Sequence, residues 1–203
     1  MSFDLKTVLK RIANFSFRTY PSAPALTEKH LHNCQLLPSR EAMLPLLKKN
    51  SVCMEIGVLH GDFSRLILEQ CTPSELHLVD VSTDSFLNRF SEQIRNKTVI
   101  VREGISWDVL DSYPDDHFDW IYIDASHDYD SVYRDVRIAS KKIKADGMLI
   151  FNDYQYLCPN SYRKYGVIEV VNEFCLREDW EFVYFCLQGR GFYDVAIRKI
   201  VGA

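Results

Sequence analysis

The chain has 203 residues, of which 47% are hydrophobic and 26% are charged, and its formal net charge is −4 at pH 7. This length and balance are typical of one globular domain with a sizeable core. The excess of acidic over basic residues argues against a nucleic-acid partner. No apolar run reaches the roughly 20 residues of a membrane helix.

The N-terminal residues predict an amphipathic helix, because Phe3, Val8, Ile12 and Phe15 recur at near-helical spacing. Charged residues interrupt this segment, so it does not have the pattern of a signal peptide. The expected uses of its apolar face are packing on the domain or forming a homo-oligomer. Residues 20–38 have no sustained periodicity and predict an irregular connector or a lid. We therefore place an N-terminal helix and connector or lid in residues 1–38, and the main domain in residues 39–203.

The six cysteines are scattered along the chain, and none forms a C-x-x-C pair. This pattern suggests neither a zinc site nor a redox-active dithiol. Reduced thiols are typical of the cytoplasm, so we expect a cytoplasmic protein with no membrane association.

From residue 41 onward, predicted helices alternate with short apolar strands. The predicted helices are residues 41–49, 62–70, a mixed stretch at 84–95, a short helix from Ser106, and residues 131–143 and 166–177. The predicted strands are residues 52–56, 76–79, 98–101, 119–123, 148–151 after a turn at 145–147, 181–186 and 193–199.

This alternation predicts a parallel sheet that is covered by helices on both faces. The last two strands have no helix between them, so they predict an antiparallel hairpin. The expected fold class is therefore α/β: a Rossmann-like, doubly wound, mostly parallel seven-stranded sheet that ends in an antiparallel hairpin, with an N-terminal helical extension.

The first predicted strand ends in Glu55-Ile56-Gly57, and Gly61 precedes the next helix. Asp80 ends the second strand, at the spacing of about 20 residues at which an acidic side chain binds ribose hydroxyls. A second interpretation is that the glycines form only a tight loop and that Asp80 only caps a helix.

The glycine loop favours a ligand with a ribose and no diphosphate. It lacks the P-loop pattern, and Leu59 replaces the middle glycine of the dinucleotide-binding motif. A pyrophosphate needs close backbone approach at that point. S-adenosylmethionine fits this description, whereas a nicotinamide-dependent oxidoreductase is the alternative.

Three segments resemble class I S-adenosylmethionine-dependent methyltransferases, and in particular the group called methyltransferase family 24. They are EIGVLHGDFS at 55–64, FDWIYIDASHDY at 118–129 and KADGMLIFNDY at 144–154, where Ala145-Asp146 replaces the usual Pro-Gly. The resemblance covers residues 40–200. It implies S-adenosylmethionine as cofactor. The cofactor residues expected on this basis are Glu55, Gly57, Gly61, Asp80, Ser82, Gly104, Ile105, Ser106 and Asp124, with residues 104–106 around the adenine.

Asp124 ends the fourth predicted strand, and His127 follows three residues later. Methyl transfer requires that the acceptor is aligned and loses its proton, and histidine is a suitable general base near neutral pH. We therefore expect His127 and Asp124 to be catalytic. A loop histidine bonded to a carbonyl group or to Asp124 is the alternative.

A divalent metal is a second expectation at the same edge. Asp124, Asn152 and Asp153 follow strands that we expect to be neighbours, and their oxygen atoms suit Mg²⁺. The alternative is that Asp153 caps a helix or bonds a loop. Tyr154, Tyr156, Tyr162 and Tyr165 follow the fifth strand and could line an acceptor pocket.

Together these features predict O-methylation of a small-molecule or sugar hydroxyl, with His127 as base, possible assistance by Mg²⁺, and no nucleic acid as partner. The two alternatives are a nicotinamide-dependent oxidoreductase and a non-catalytic binding module that keeps the same fold.

Overall fold

The computed structural model describes residues 23–158, 160–161, 163–189 and 191–200. One sheet contains eight strands. They are β1 (Gln35–Leu37), β2 (Val52–Ile56), β3 (Glu75–Asp80), β4 (Val99–Glu103), β5 (Phe118–Ile123), β6 (Ile143–Phe151), β7 (Trp180–Cys186) and β8 (Asp194–Lys199). The N-terminal helix predicted from Phe3 to Phe15, and with it the expected oligomer contact, lies outside the described residues.

Six α-helices connect these strands within the described ranges. They are α1 (Glu28–Leu31), α2 (Asp62–Cys71), α3 (Ser91–Arg95), α4 (Ser106–Asp111), α5 (Tyr129–Lys142) and α6 (Val167–Glu178). Short 3₁₀ helices occupy Leu44–Leu46 and Leu87–Phe90. None of the helices described here combines the length and the apolar character that crossing a bilayer requires.

The order of the strands is β1-β7-β8-β6-β5-β2-β3-β4. β8 runs antiparallel to both β6 and β7, and the other pairs are parallel. This confirms the doubly wound α/β sheet and its antiparallel C-terminal hairpin.

Within the described residues the sheet has eight strands and not the predicted seven, because residues 35–37 extend it. β1 pairs in parallel with β7, with Leu36 opposite Phe185. The sequence of this segment predicts an irregular connector. These three residues do not alternate between buried and exposed, so their sequence does not predict a strand. The segment becomes a strand only by pairing with the neighbouring β7.

Two further predictions were wrong. Residues 41–49 do not form a helix, since Pro45 lies within them and the segment contains only the 3₁₀ turn Leu44–Leu46. Proline has no backbone N–H and its ring clashes with the preceding turn of an α-helix. The turn predicted at 145–147 lies inside β6, where a register irregularity opposite β5 takes up the additional residues.

The sheet is buried on both faces, as its apolar strands predict. Alternating residues of β5 point to opposite faces of the sheet. Ile121 and Ile123 pack towards α5 and α6, whereas Trp120 and Tyr122 pack towards α2. Parallel strands covered on both sides leave their carboxyl ends as the place for a ligand.

Candidate functional site

A cavity of about 610 Å³ opens at the carboxyl ends of β2, β3, β4 and β5. β2 lies between β3 and β5, so the chain changes direction along the sheet at this point, where doubly wound sheets bind ligands. Six of the predicted cofactor residues line this cavity: Gly57, Asp80, Gly104, Ile105, Ser106 and Asp124.

Gly57 allows the ends of three strands to meet. Its backbone N–H donates to the carbonyl of Val79 at 2.9 Å, and its φ is +85°. A Cβ atom at this position would lie 1.9 Å from the carbonyl oxygen of Asp124. Only glycine accommodates both this backbone conformation and this close approach.

Asp80 lines the cavity and also holds the glycine loop in place. Its Oδ2 accepts hydrogen bonds from the backbone N–H groups of Val58 at 2.8 Å and Leu59 at 3.0 Å. Its Oδ1 accepts from the N–H of Ser82 at 3.3 Å. The carboxylate therefore couples the end of β3 to the loop that follows β2.

Three of the predicted cofactor residues support the cavity from outside its lining. Glu55 is buried and accepts a hydrogen bond from the Ser64 hydroxyl at 2.5 Å. Burial raises the pKa of Glu55 to about 8, against the opposing effect of Ser64. At Gly61 a Cβ atom would lie 2.6 Å from the Phe90 ring, so the absence of a side chain at this position allows Phe90 to pack against the backbone. Ser82 is exposed and contributes its backbone N–H to Asp80.

His127 lies between two carboxylates at the same edge of the sheet. Its Nε2 is 3.5 Å from Oδ1 of Asp124 and 3.5 Å from Oδ2 of Asp153. The imidazole stacks on the ring of Tyr165, with the two centroids 4.5 Å apart. Burial acts to lower the pKa of His127, but the two carboxylates outweigh it and raise this pKa above its ordinary value.

The Nε2 atom of His127 is buried, and within the described ranges it has no hydrogen-bond partner. One hydrogen bond of its own carbonyl group and a helix cap formed by the next residue hold His127 in this position. The Asp128 side chain caps α5 by accepting from the N–H of Ser131 at 3.0 Å, and the N–H of Gly166 donates to the carbonyl of His127 at 2.7 Å. The loop histidine is thus anchored on both sides.

The predicted metal ligands do not fit a magnesium site. The Asn152 amide donates to the Tyr122 hydroxyl and to Oδ1 of Asp194, each at 3.1 Å. Asp124 and Asp153 both face the imidazole of His127, whose Nε2 lies between them. Among residues with described positions, no cluster of three acidic, histidine or cysteine side chains is arranged to hold an ion.

A buried polar network beside Asp124 was missed in the sequence analysis. The Tyr122 hydroxyl donates to Oδ2 of Asp194 at 2.6 Å and accepts from Arg40 at 3.0 Å. The guanidinium of Arg40 lies over the Phe63 ring and 4.0 Å from Oδ2 of Asp124. Burial raises the pKa of Asp194 to about 6. A tyrosine inside an apolar strand is a weak signal of such a network, and Arg40 carries none.

The family model described as "Methyltransferase domain", that of methyltransferase family 24, matches residues 54–154. This range runs from β2 to the end of β6 and contains the glycine turn, Asp80, Asp124, His127 and Asp153. No curated protein matches the sequence.

Solved structures show the same fold at low sequence identity. The M1A22 tRNA methyltransferase TrmK of B. subtilis is 13% identical, with a TM-score of 0.60 over 81% of this chain and 67% of that one. The pyocyanin biosynthetic protein PhzM is 12% identical, with a TM-score of 0.61 over 79% of this chain and 54% of that one. The ribosomal protein L11 methylase of Lactobacillus delbrueckii subsp. bulgaricus is 15% identical, with a TM-score of 0.56 over 79% and 77%.

This chain therefore spans about two thirds of the length of TrmK and about half that of PhzM. The names of these proteins refer to different kinds of molecule, so the shared fold alone does not select an acceptor.

Proposed function

The chain belongs to the class I S-adenosylmethionine-dependent methyltransferases, and on this basis we propose that it methylates a hydroxyl group of a small molecule or a sugar, with His127 as the general base. The family match favours this proposal over a nicotinamide-dependent oxidoreductase, because it covers the glycine turn and the acidic strand ends together.

The cavity fits an adenosyl group. Leu59, Val81 and Ile105 are 69%, 71% and 45% exposed, and all three line the cavity, so apolar side chains are available to contact a purine. Asp80 lines the same cavity and is the expected acceptor for ribose hydroxyl groups. When bound, S-adenosylmethionine supplies a methyl group activated by its sulfonium.

The unpartnered Nε2 of His127 is the observation that carries the proposed chemistry. A buried polar atom without a hydrogen-bond partner is rare and calls for a functional explanation. An acceptor hydroxyl supplies the missing partner when it donates to this nitrogen. The proton then passes to the imidazole, and the acceptor oxygen becomes the nucleophile.

Asp124 and Asp153 stabilise the imidazolium that forms. Their negative charge favours the protonated ring, which is the same reason that they raise the pKa of His127. Asp124 also lines the cofactor cavity, so it places the base beside the methyl donor. No step of this proposal requires a metal.

Charge favours a small acceptor over RNA. Asp124 and Asp153 lie at the acceptor end, and the chain as a whole has a net charge of −4. An RNA backbone is repelled by such a surface unless a basic patch compensates. We therefore propose sugars and hydroxylated small molecules as the acceptor class.

The test is a transfer assay with methyl-labelled S-adenosylmethionine and a panel of sugars, phenols, nucleosides and total RNA. We expect label in a hydroxylated small molecule. His127→Gln should lower kcat by at least about 100-fold, the usual contribution of a general base, with little change in S-adenosylhomocysteine affinity. His32→Gln is the matched control, because His32 is exposed.

Three outcomes would contradict parts of the proposal. Full activity of the His127→Gln variant would exclude His127 as the general base. Label found only in RNA would exclude sugars and hydroxylated small molecules as the acceptor class. A chain that binds S-adenosylhomocysteine and also transfers no label to any acceptor would support the non-catalytic binding module instead.

A further inference from the structure

An apolar groove of about 470 Å³ is lined by residues of α1, α6 and β7 and by the segment that leads into α1. It shares no lining residue with the cofactor cavity. Leu31 is 43% exposed in this groove, and contiguous apolar side chains open to solvent indicate a binding surface. The apolar lining consists of Leu26, Leu31, Cys34, Tyr154, Phe182 and Phe185.

The amide and hydroxyl groups of the groove are already paired within its wall. The Tyr154 hydroxyl donates to Oδ1 of Asn172 at 2.6 Å, and the Asn172 amide donates to the backbone carbonyl of Pro24 at 2.9 Å. A polar ligand would have to compete with these hydrogen bonds, whereas an apolar occupant leaves them intact. The groove therefore suits an apolar partner.

The described part of the chain begins at this groove. Residue 23 is the first described residue, Pro24 is held by Asn172 of the groove wall, and Leu26 lines the groove itself. Residues 1–22 lie outside the described residues, and they are tethered covalently to one edge of the groove. Their own chain thus presents them to this surface at a high local concentration.

The sequence of the N-terminal segment has the pattern that such a groove accommodates. Val8, Ile12 and Phe15 recur at positions i, i+4 and i+7, the spacing at which an amphipathic helix places its anchors in an apolar groove. Lys10 and Asn14 each lie two positions from Ile12, so they fall on the opposite face of such a helix.

We propose that residues 3–15 dock as a helix in this groove of their own chain, with Val8, Ile12 and Phe15 against its apolar lining. A helix over these residues would be about 20 Å long. Residues 16–22 span at most about 25 Å, which is enough to bring the helix back over the groove. The inference concerns packing on the domain, so it does not depend on which cofactor or acceptor the protein binds.

The reactivity of Cys34 in the full chain tests the proposal. Cys34 lines the groove and is half-buried, the other five cysteines are buried, and residues 1–22 contain none. Labelling with iodoacetamide, located by peptide mass spectrometry, therefore reports on the groove. We expect Ile12→Asp to label Cys34 at least about tenfold faster than the wild type, because burial of an isoleucine is worth more than a factor of ten in the docking equilibrium. Asn14→Asp adds the same charge on the opposite face and is the matched control, with a rate within about twofold of the wild type.

Unfolding is separated from undocking by the buried cysteines. If Ile12→Asp unfolds the chain, all six cysteines become labelled, and the milder Ile12→Ala replaces it with an expected increase of at least about fivefold at Cys34 alone. An unchanged rate at Cys34 in Ile12→Ala would overturn the proposal. Protection of Cys34 that increases with protein concentration would also overturn it, since the segment would then occupy the groove of a second copy.

Discussion

Replacing Gly57 with alanine tests how the glycine turn builds the cofactor site. The added Cβ would lie 1.9 Å from the carbonyl oxygen of Asp124, far inside ordinary van der Waals contact. Because both atoms belong to backbone or are bonded to it, no side-chain rotation relieves the overlap. The ends of β2 and β5 must separate, which moves Asp124 away from the glycine loop.

The magnitude follows from two effects. A non-glycine residue in the left-handed region costs about 1–2 kcal/mol, and overpacking against fixed neighbours costs about 1–3 kcal/mol more. We expect Gly57→Ala to lower the free energy of unfolding by about 2–5 kcal/mol. For a chain of this size, the corresponding fall in Tm is roughly 4–20 °C.

Two other glycines serve as graded controls in the same thermal unfolding assay. Gly191 has a φ of +76° with nothing near its Cβ position, so Gly191→Ala should show only the conformational cost of about 1–2 kcal/mol. Gly189 has neither constraint, and Gly189→Ala should change stability by less than about 0.5 kcal/mol.

Binding of S-adenosylhomocysteine should be lost only in Gly57→Ala. If Gly57→Ala unfolds at the temperature of Gly191→Ala and binds the ligand as the wild type does, the close contact with Asp124 is not what requires glycine at this position.

Two predictions concern titration. Asp153→Asn removes one of the carboxylates that raise the pKa of His127, so an NMR titration of the imidazole should show a lower midpoint than in the wild type. An unchanged midpoint would mean that Asp153 does not act on the ring. The carboxylates stabilise the folded protein below the ordinary pKa of histidine, and this stability is lost as the pH rises through the folded pKa of His127. The variant should therefore lose less stability than the wild type between these two pKa values. Glu55 has its pKa raised to about 8, so the wild-type fold loses stability as the pH rises from the ordinary carboxyl value towards 8. Glu55→Gln should therefore show a smaller fall in Tm between pH 5 and pH 8, and an equal fall would contradict the assignment.

The sequence predicted those parts of the fold that depend on local pattern. Apolar runs such as Phe118–Ile123 identify buried strands regardless of their neighbours, and the absence of a helix before Asp194–Lys199 identifies the hairpin. The short strand Gln35–Leu37 has no such pattern, because only its pairing with β7 makes it a strand. The helix predicted at 41–49 does not form, because Pro45 lacks the backbone N–H and its ring clashes with the preceding turn.

The residues of the site also differ in whether local sequence pattern predicts them. Asp80, Asp124 and His127 were predicted because strand ends of a parallel sheet meet at one edge, which requires no knowledge of strand order. The contact between Tyr122 and Asp194 depends on β8 inserting beside β6, and the contact of Arg40 with Tyr122 depends on the path of the chain before β2. Pairings of this kind are set by tertiary packing and leave no local signal.

We expect the cavity at the ends of β2, β3, β4 and β5 to bind S-adenosylmethionine. Calorimetric titration of the full chain with S-adenosylhomocysteine and, separately, with NAD distinguishes the two cofactor classes. We expect one S-adenosylhomocysteine site per chain and no heat of binding with NAD. Binding of NAD by a folded chain that does not bind S-adenosylhomocysteine would show that the cavity is a nicotinamide site instead.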